Sequence, residues 1–472
     1  MLICSKIGKD ILMHHRSRQR VKALGEVFTP DEHIQDMLSI LHTNDNTIWE
    51  DPDRVFFEPC CGSGNIVVDI LQHRLEGLRG HYTKQGTSNP DMYAAVTALT
   101  TLRAIDIDST NVRECQERVS NLLCIFLDIQ QLTGTLSTLL QTNITKNEFF
   151  SFIPSLMGQV TVIGNPPYQE SDGGFGGKST TIYNLFYEAC IKSPCVVETI
   201  MVIPARWFAG GKGLNKFRSL IQESQSIQTI KYFKNSKDIF PTVDINGGVC
   251  FLHHNKRYTG HTTFIEGTSK TSVQLDKYDI ILDDPLGYSI VDKILSKHKG
   301  KFIGDVAWAR KPYGLASNFF NKYPEQSGTK SAIPCLSVPR KIKYVLPDDI
   351  HKNVDTIMDW KVCVSKACGG SKGKRRSTVP LSQIFIVDAG TITTETYSVI
   401  DTFSTKQEAE AFLAYLQTDF ARYCVGLRKI TQNLSRESWN WVPYMNIHKD
   451  IELFNLTKQE QTHIKNKVKE WS

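Results

Sequence analysis

Three short clusters in this 472-residue chain have residue types and spacing suited to chemistry. The most specific is Asn165-Pro166-Pro167-Tyr168, one glycine after the β-branched run Val160-Thr161-Val162-Ile163. Two prolines fix φ and remove two backbone donors, which leaves carbonyls free to accept. The Asn165 amide oxygen and the Pro166 carbonyl suit the two hydrogens of an adenine-type exocyclic amine. Drawing that nitrogen's lone pair out of ring conjugation makes it a better nucleophile. Tyr168 adds an aromatic face on which a base can stack.

The second cluster is Phe57-Glu58-Pro59-Cys60-Cys61-Gly62-Ser63-Gly64-Asn65, an acid at a strand end, a glycine turn and a helix expected from Ile66 to about Leu75. It matches neither the dinucleotide GxGxxG nor a phosphate-binding GK[ST]. A carboxylate there would repel a pyrophosphate but suits a cation such as S-adenosylmethionine, with its sulfonium and ammonium groups. The third is Asp106, at the tip of the next strand, where an acid can accept both hydroxyls of a ribose. It lies 42 positions beyond Gly64, and residues 79–100 read as a polar loop, inserted before a short helix, that accounts for the distance.

Positioning these groups requires a sheet. Val55-Phe57, Leu102-Ile105, Val160-Ile163, Thr199-Ile203, Ile227-Ile230 and Gly248-Leu252 read as short strands with helix-compatible sequence between them. That alternation predicts an α/β fold with a parallel or mixed sheet. After about residue 256 the pattern turns irregular until a helical stretch near 405–420. At ~100–200 residues per domain, the length predicts more than one. The expected division is a catalytic domain over 1–260 and a mixed α+β domain over 261–472 that ends in a helical segment.

The three clusters, in this order, resemble the gamma-class DNA N6-adenine methyltransferases, the methylases of restriction-modification systems. The resemblance implies a Rossmann-like, S-adenosylmethionine-dependent core followed by a C-terminal target-recognition domain. Gly25-Glu26-Val27-Phe28-Thr29-Pro30 is similar to the family's N-terminal cofactor motif, with Thr29 and Pro30 toward the methionine moiety. Glu58, Gly62 and Gly64 correspond to its first core motif and Asp106 to its ribose-binding acid. In Asn143-Ile144-Thr145-Lys146-Asn147-Glu148-Phe149, Glu148 stands where the family carries an Asp for the cofactor's adenine, with Asn147 as the alternative. Asn165, Pro166, Pro167 and Tyr168 form the catalytic motif. Phe240, in Ile239-Phe240-Pro241-Thr242-Val243, corresponds to the aromatic that packs on a flipped base.

Charge is unevenly distributed. The net charge is +6, yet Lys301–Arg376 holds 15 Lys and Arg against 6 Asp and Glu, a net of +9. Arg340, Lys341, Lys372, Lys374, Arg375 and Arg376 are the expected phosphate contacts there, with Lys178 in a glycine-rich loop after the catalytic motif. Double-stranded DNA is the implied partner, alongside a separately encoded restriction endonuclease in a restriction-modification or phage self-protection setting. No run nears the ~20 apolar residues of a membrane span, the N-terminus is too interrupted for a signal peptide, and the 12 scattered cysteines show no metal spacing. A cytoplasmic protein is expected. The alternatives are a protein-glutamine or RNA-adenine methylase, or a DNA-binding module with an inactive methylase core. A cytosine-ring methylase would need a Pro-Cys nucleophile where this chain has NPPY.

Overall fold

The computed structural model describes residues 29–170, 180–210, 213–241, 243, 245, 247–366, 383–429, 434–445 and 452–471. Gly25–Phe28, Lys178, Lys372, Lys374, Arg375 and Arg376, all singled out above, lie outside these residues. The chain divides into two compact units, one up to Trp207 plus Gly213–Leu275, the other Phe208–Lys212 plus Asp276 onward.

The first unit is built on a nine-stranded mixed sheet. In chain order it comprises α1 (Asp31–Asn44), β1 (Arg54–Glu58), α2 (Asn65–Lys84), α3 (Pro90–Thr100), β2 (Leu102–Asp106), α4 (Ser109–Leu127), α5 (Gly134–Asn143), β3 (Ile144–Lys146), α6 (Phe149–Phe152), β4 (Gln159–Gly164), α7 (Tyr183–Lys192), β5 (Val196–Pro204), α8 (Asn215–Glu223), β6 (Ile227–Phe233), β7 (Val249–Asn255), β8 (Thr262–Glu266) and β9 (Ser269–Val273). The strand order is β9-β8-β6-β7-β5-β4-β1-β2-β3. β3, β2, β1, β4 and β5 run parallel, and β7 is antiparallel to both its neighbours. The 3-2-1-4-5-7-6 core with a reversed β7 is the arrangement of the Rossmann-like methyltransferase fold expected from the sequence. The hairpin β8–β9 lies past residue 260 but extends this sheet, because β8 pairs in parallel with β6.

Residues 79–100 are not a loop. α2 continues to Lys84, and α3 opens at Pro90, with the Asn89 side chain accepting from the Met92 N–H at 3.1 Å. Proline suits a first helical turn because its missing N–H has no intrahelical acceptor there. Polar residues obscured the pattern, yet Ala94, Ala95, Ala98 and Leu99 recur at helical spacing and are buried against the core.

The second unit contains α9 (Pro285–Lys297), β10 (Ile333–Ser337), β11 (Lys341–Val345), β12 (Trp360–Ser365), β13 (Ile384–Val387), β14 (Ile392–Thr393), β15 (Tyr397–Phe403), α10 (Lys406–Leu416), α11 (Asp419–Arg428) and α12 (Lys458–Trp471). Its strands form two three-stranded sheets, β11-β10-β14 and β13-β12-β15. Tyr313, Cys335, Val345, Cys363, Ile392 and Val399 fill one core between them. The single helical stretch expected near 405–420 is two helices: Thr405 and Glu408 form a capping box on the first, and Thr418 caps the second. Among the described residues no helix is long and apolar enough to cross a membrane.

Candidate active site

Parallel strands deliver their C-terminal ends to one edge of the sheet, and the chemistry-bearing clusters sit there. Glu58 ends β1, Asp106 ends β2, and Asn165 follows β4. The register Phe57↔Arg103, Glu58↔Ala104 and Phe57↔Val162 sets these ends side by side.

The glycine turn is held from two sides. Gly64 adopts φ +88°, and a Cβ there would lie 2.6 Å from Cys115 Sγ and 3.2 Å from the Cys115 Cα. Only glycine meets both the backbone and the packing demand at this position. Gly62, at φ +51°, faces open space instead. Its N–H donates to Asp106 Oδ2 at 2.9 Å. Asp106 Oδ1 accepts from the Asp108 N–H at 2.8 Å and from Asn111 Nδ2 at 3.2 Å. The expected ribose acid therefore also ties β2 to the glycine turn. Arg118 donates to the Ser63 carbonyl at 2.9 Å and to Asn65 Oδ1.

Asn111, Cys115 and Arg118 escaped the sequence reading. They stand at i, i+4 and i+7 on α4, so one helix face underlies the turn. That spacing was visible in the sequence, but a polar helix face by itself reads as solvated. Ile107, 62% exposed beside Asp106, was also passed over; it is an apolar side chain held open at the sheet edge.

Glu58 is 3% exposed, and its Oε2 has no hydrogen-bond partner. Burial, with the nearby Cys115 and Asp106, raises its carboxyl well above the usual range, against the opposing pull of the Val67 N–H and Arg118. A buried carboxylate oxygen left without a partner is costly unless something cationic meets it. Glu148 is different: it is exposed and caps the short α6, accepting from the Phe150 and Ser151 N–H groups at 3.0 and 2.8 Å. Slight burial works to raise its pKa, but these bonds hold it below the ordinary value. Asn147 spends its side-chain amide on Thr145 Oγ1 at 2.9 Å.

Around NPPY, Asn165 Nδ2 donates to Thr29 Oγ1 at 3.2 Å, across 136 residues of chain. Thr29 is buried, and Pro30 follows it as the residue leading into α1. Pro166 is buried, while Asn165, Pro167 and Tyr168 are half-buried. The Tyr168 ring meets Tyr183 and Phe240 edge-on, at centroid distances of 6.2 and 6.3 Å. Burial raises its hydroxyl well above the usual phenol range, and that hydroxyl has no partner. Phe240 is only 1% exposed, part of the core beneath Tyr168 and not an open face. The motif comes from the Ser236–Asp238 turn, where Ser236 accepts from the Ile245 N–H at 2.8 Å and donates to the Val243 carbonyl.

With this geometry in view, residues 104–240 match the Eco57I restriction-modification methylase family. The match begins on β2 and ends at Phe240, so it spans Asp106, NPPY and the aromatic bracing Tyr168. A protein of Mycoplasma pneumoniae described as an uncharacterized adenine-specific methylase is 24% identical, the match covering 50% of this chain and 68% of that protein. Among solved structures, the type IIL restriction-modification enzyme MmeI in complex with DNA is 10% identical, with a TM-score of 0.49 over 97% of this chain and 76% of that one. The type I restriction-modification methyltransferase subunit of Streptococcus thermophilus is 14% identical, with a TM-score of 0.34 over 58% of this chain and 54% of that one. This chain thus spans about half the length of that subunit.

In the second unit, the basic residues divide. Arg340 sits at the β10–β11 turn with φ +61°; its N–H donates to the Tyr397 hydroxyl at 3.0 Å. Its guanidinium lies 4.6 Å from the Phe385 ring centroid and donates to Gln383 Oε1 at 3.0 Å. Lys341 is exposed at the start of β11. Arg310 pairs with Glu395, as does Lys366. Arg436 donates to the Gly304 and Asp305 carbonyls at 2.6 and 2.8 Å.

Proposed function

We propose that this chain transfers a methyl group from S-adenosylmethionine to the N6 amine of an adenine in double-stranded DNA. The observation that carries the reading is the convergence of Asn165, Tyr168, Thr29, the glycine turn and the buried Glu58 carboxyl, whose Oε2 has no partner, on one sheet edge. The bound cofactor would supply an electrophilic methyl on a sulfonium. Glu58, Gly62, Gly64 and Asp106 fit a cationic nucleoside: a buried acid with one oxygen unpartnered, open space at Gly62, and an acid at the tip of β2.

An adenine inside a duplex cannot reach such a site, so the base must leave the stack, at a cost of a few kcal/mol. Stacking on Tyr168 offsets part of it, at about 1–3 kcal/mol per base. Phe240, buried behind that ring, serves as its brace in this reading, not as a second stacking face. Asn165 Oδ1 and the Pro166 carbonyl take the amine's two hydrogens and aim its lone pair. Glu148 keeps a place at the cofactor's adenine only if it releases its cap on α6; Asn147 and Ile107 lie beside the same position.

The second unit would carry target recognition. Arg340 and Lys341 are its described candidates for phosphate or base contact, together with Lys178, Lys372, Lys374, Arg375 and Arg376 from the sequence. A cytoplasmic setting and a separately encoded restriction endonuclease follow from a protective role. The test is incubation with methyl-labelled S-adenosylmethionine and DNA, RNA or protein extract, followed by nucleoside analysis. Label in N6-methyladenine from DNA is expected. Label only in RNA or in protein glutamine overturns the reading.

A further inference from the structure

We infer that the β10–β11 hairpin of the second unit enters the major groove of duplex DNA and that Arg340, at its tip, reads a guanine; the inference deepens the methylase reading and rests on it for the choice of DNA. From Ile333 to Val345 the chain carries three cations, Arg340, Lys341 and Lys343, and no acid. β11 is the edge of its sheet. One face of the hairpin turns Cys335 and Val345 into the core. Ile342 and Tyr344 alternate with Val345 and so fall on the other face, where they are 47% and 38% exposed; Val338, at the turn, is 52% exposed.

Apolar side chains left bare on an edge strand invite a second strand to pair, and lysines beside them are a common defence. A cation that only kept strands apart would need no fixed geometry. Arg340 has one. Its N–H is tied to the Tyr397 hydroxyl, and its guanidinium lies on the Phe385 ring and donates to Gln383 Oε1. Phe385 and Tyr397 meet edge-on at 5.4 Å, both in the neighbouring sheet, so the hairpin tip is anchored there. The side chain is nevertheless exposed. A planar donor fork already held in place loses little entropy on meeting a matching pair of acceptors. In duplex DNA that pair is guanine O6 and N7, which open to the major groove. The same groove, about 12 Å wide, admits a two-stranded β-ribbon. Ile342 and Tyr344 then supply the apolar contact that thymine methyls accept, and Lys341 meets a phosphate.

The experiment selects bound duplexes from a pool of random-sequence DNA, using the wild-type chain, Arg340→Ala, Arg340→Gln and Lys341→Ala. Melting temperature and the salt dependence of affinity are measured alongside. The wild type should select a sequence containing a G·C pair that Arg340→Ala no longer requires. Preference at that pair should fall roughly ten- to a hundredfold, with the other positions kept. Arg340→Gln replaces the fork by an amide suited to adenine, so its preference there should fall likewise and shift toward A·T. Lys341→Ala should weaken all sequences alike and reduce the salt slope by about one. If Arg340→Ala melts early, Arg340→Gln decides by the same criterion. A folded Arg340 variant that keeps the wild-type preference overturns the inference. So does a uniform loss of affinity with a smaller salt slope, the mark of a phosphate contact, or a wild type that selects no G·C pair. Selection reads binding and not transfer, so a wild type that binds its site but methylates no adenine would sink the methylase reading separately.

Discussion

The two edges of the nine-stranded sheet treat buried charge in opposite ways. At the C-terminal edge of the parallel strands, Glu58 Oε2 and the Tyr168 hydroxyl are buried without partners. At the N-terminal edge, Arg54 donates to Thr161 Oγ1 at 2.6 Å and to Glu198 Oε2 at 2.5 Å, and His253 Nε2 lies 2.9 Å from Glu198 Oε1. All four residues are less than 5% exposed. A cleft of about 210 Å³ opens there, lined by Asn44, Asp45, Arg54, Val197, Glu198, Asn255 and Arg257. The partnering of the charges differs between the edges: at the N-terminal edge Arg54, Glu198 and His253 meet one another, whereas at the C-terminal edge the Glu58 Oε2 has no partner among the described residues.

The largest expected effect comes from Asn165→Ala, which removes the amine's acceptor. Methyl transfer should fall by roughly 100-fold or more, with cofactor affinity and melting temperature nearly unchanged. Near-normal turnover would dissolve the functional assignment of this edge. Next is Glu198→Ala, which strands Arg54 in the interior. Breaking a buried pair costs about 3–5 kcal/mol, so denaturant unfolding should show a large loss while the surviving folded protein retains its cofactor affinity. Lost methylation without lost stability would mean the N-terminal edge is functional after all.

A smaller effect concerns His254, on β7 beside that network. Burial, then the charges of Lys256 and His253, lowers its pKa to about 4, against the pull of Glu198. Its folded pKa lies below the unfolded value, so the unfolded chain takes the proton first. The stabilisation is complete above about pH 6.5 and drains away as pH falls toward 4. Unfolding free energy should drop by up to about 3 kcal/mol over that window, and a His254→Phe protein should show a shallower slope. The smallest effect is at Glu58. Its raised pKa leaves a fraction of the empty sites protonated, and a cationic ligand favours the ionised form. Cofactor binding should therefore release part of a proton and tighten as pH rises, a dependence that Glu58→Gln abolishes. Calorimetry in buffers of different ionisation enthalpy measures that proton directly.

Much of the site was legible before the fold was known. NPPY, the glycine turn and Asp106 each follow a short apolar run, and strands duly end at Gly164, Glu58 and Asp106. The helical hairpin over 65–100 was not legible, because solvent-side polar residues between Arg79 and Pro90 masked its buried alanines. Glu148 read as a ligand from its place in the chain, yet its carboxylate turned to the nearest free N–H groups, those of its own helix.

What the sequence determined by itself is local: which segments are strands, where glycine must turn the chain, and which side chains can accept an amine's hydrogens. Those properties belong to a few neighbouring residues and survive without the rest of the molecule. Only the tertiary structure decided that Thr29 reaches Asn165, that α4 supports the glycine turn through Cys115 and Arg118, and that Phe240 lies behind Tyr168. It also decided which buried charges are matched. The physical reason is that hydrogen bonding and desolvation depend on what lies within a few ångströms in space, and sheet pairing sets that neighbourhood between residues as far apart as 29 and 165.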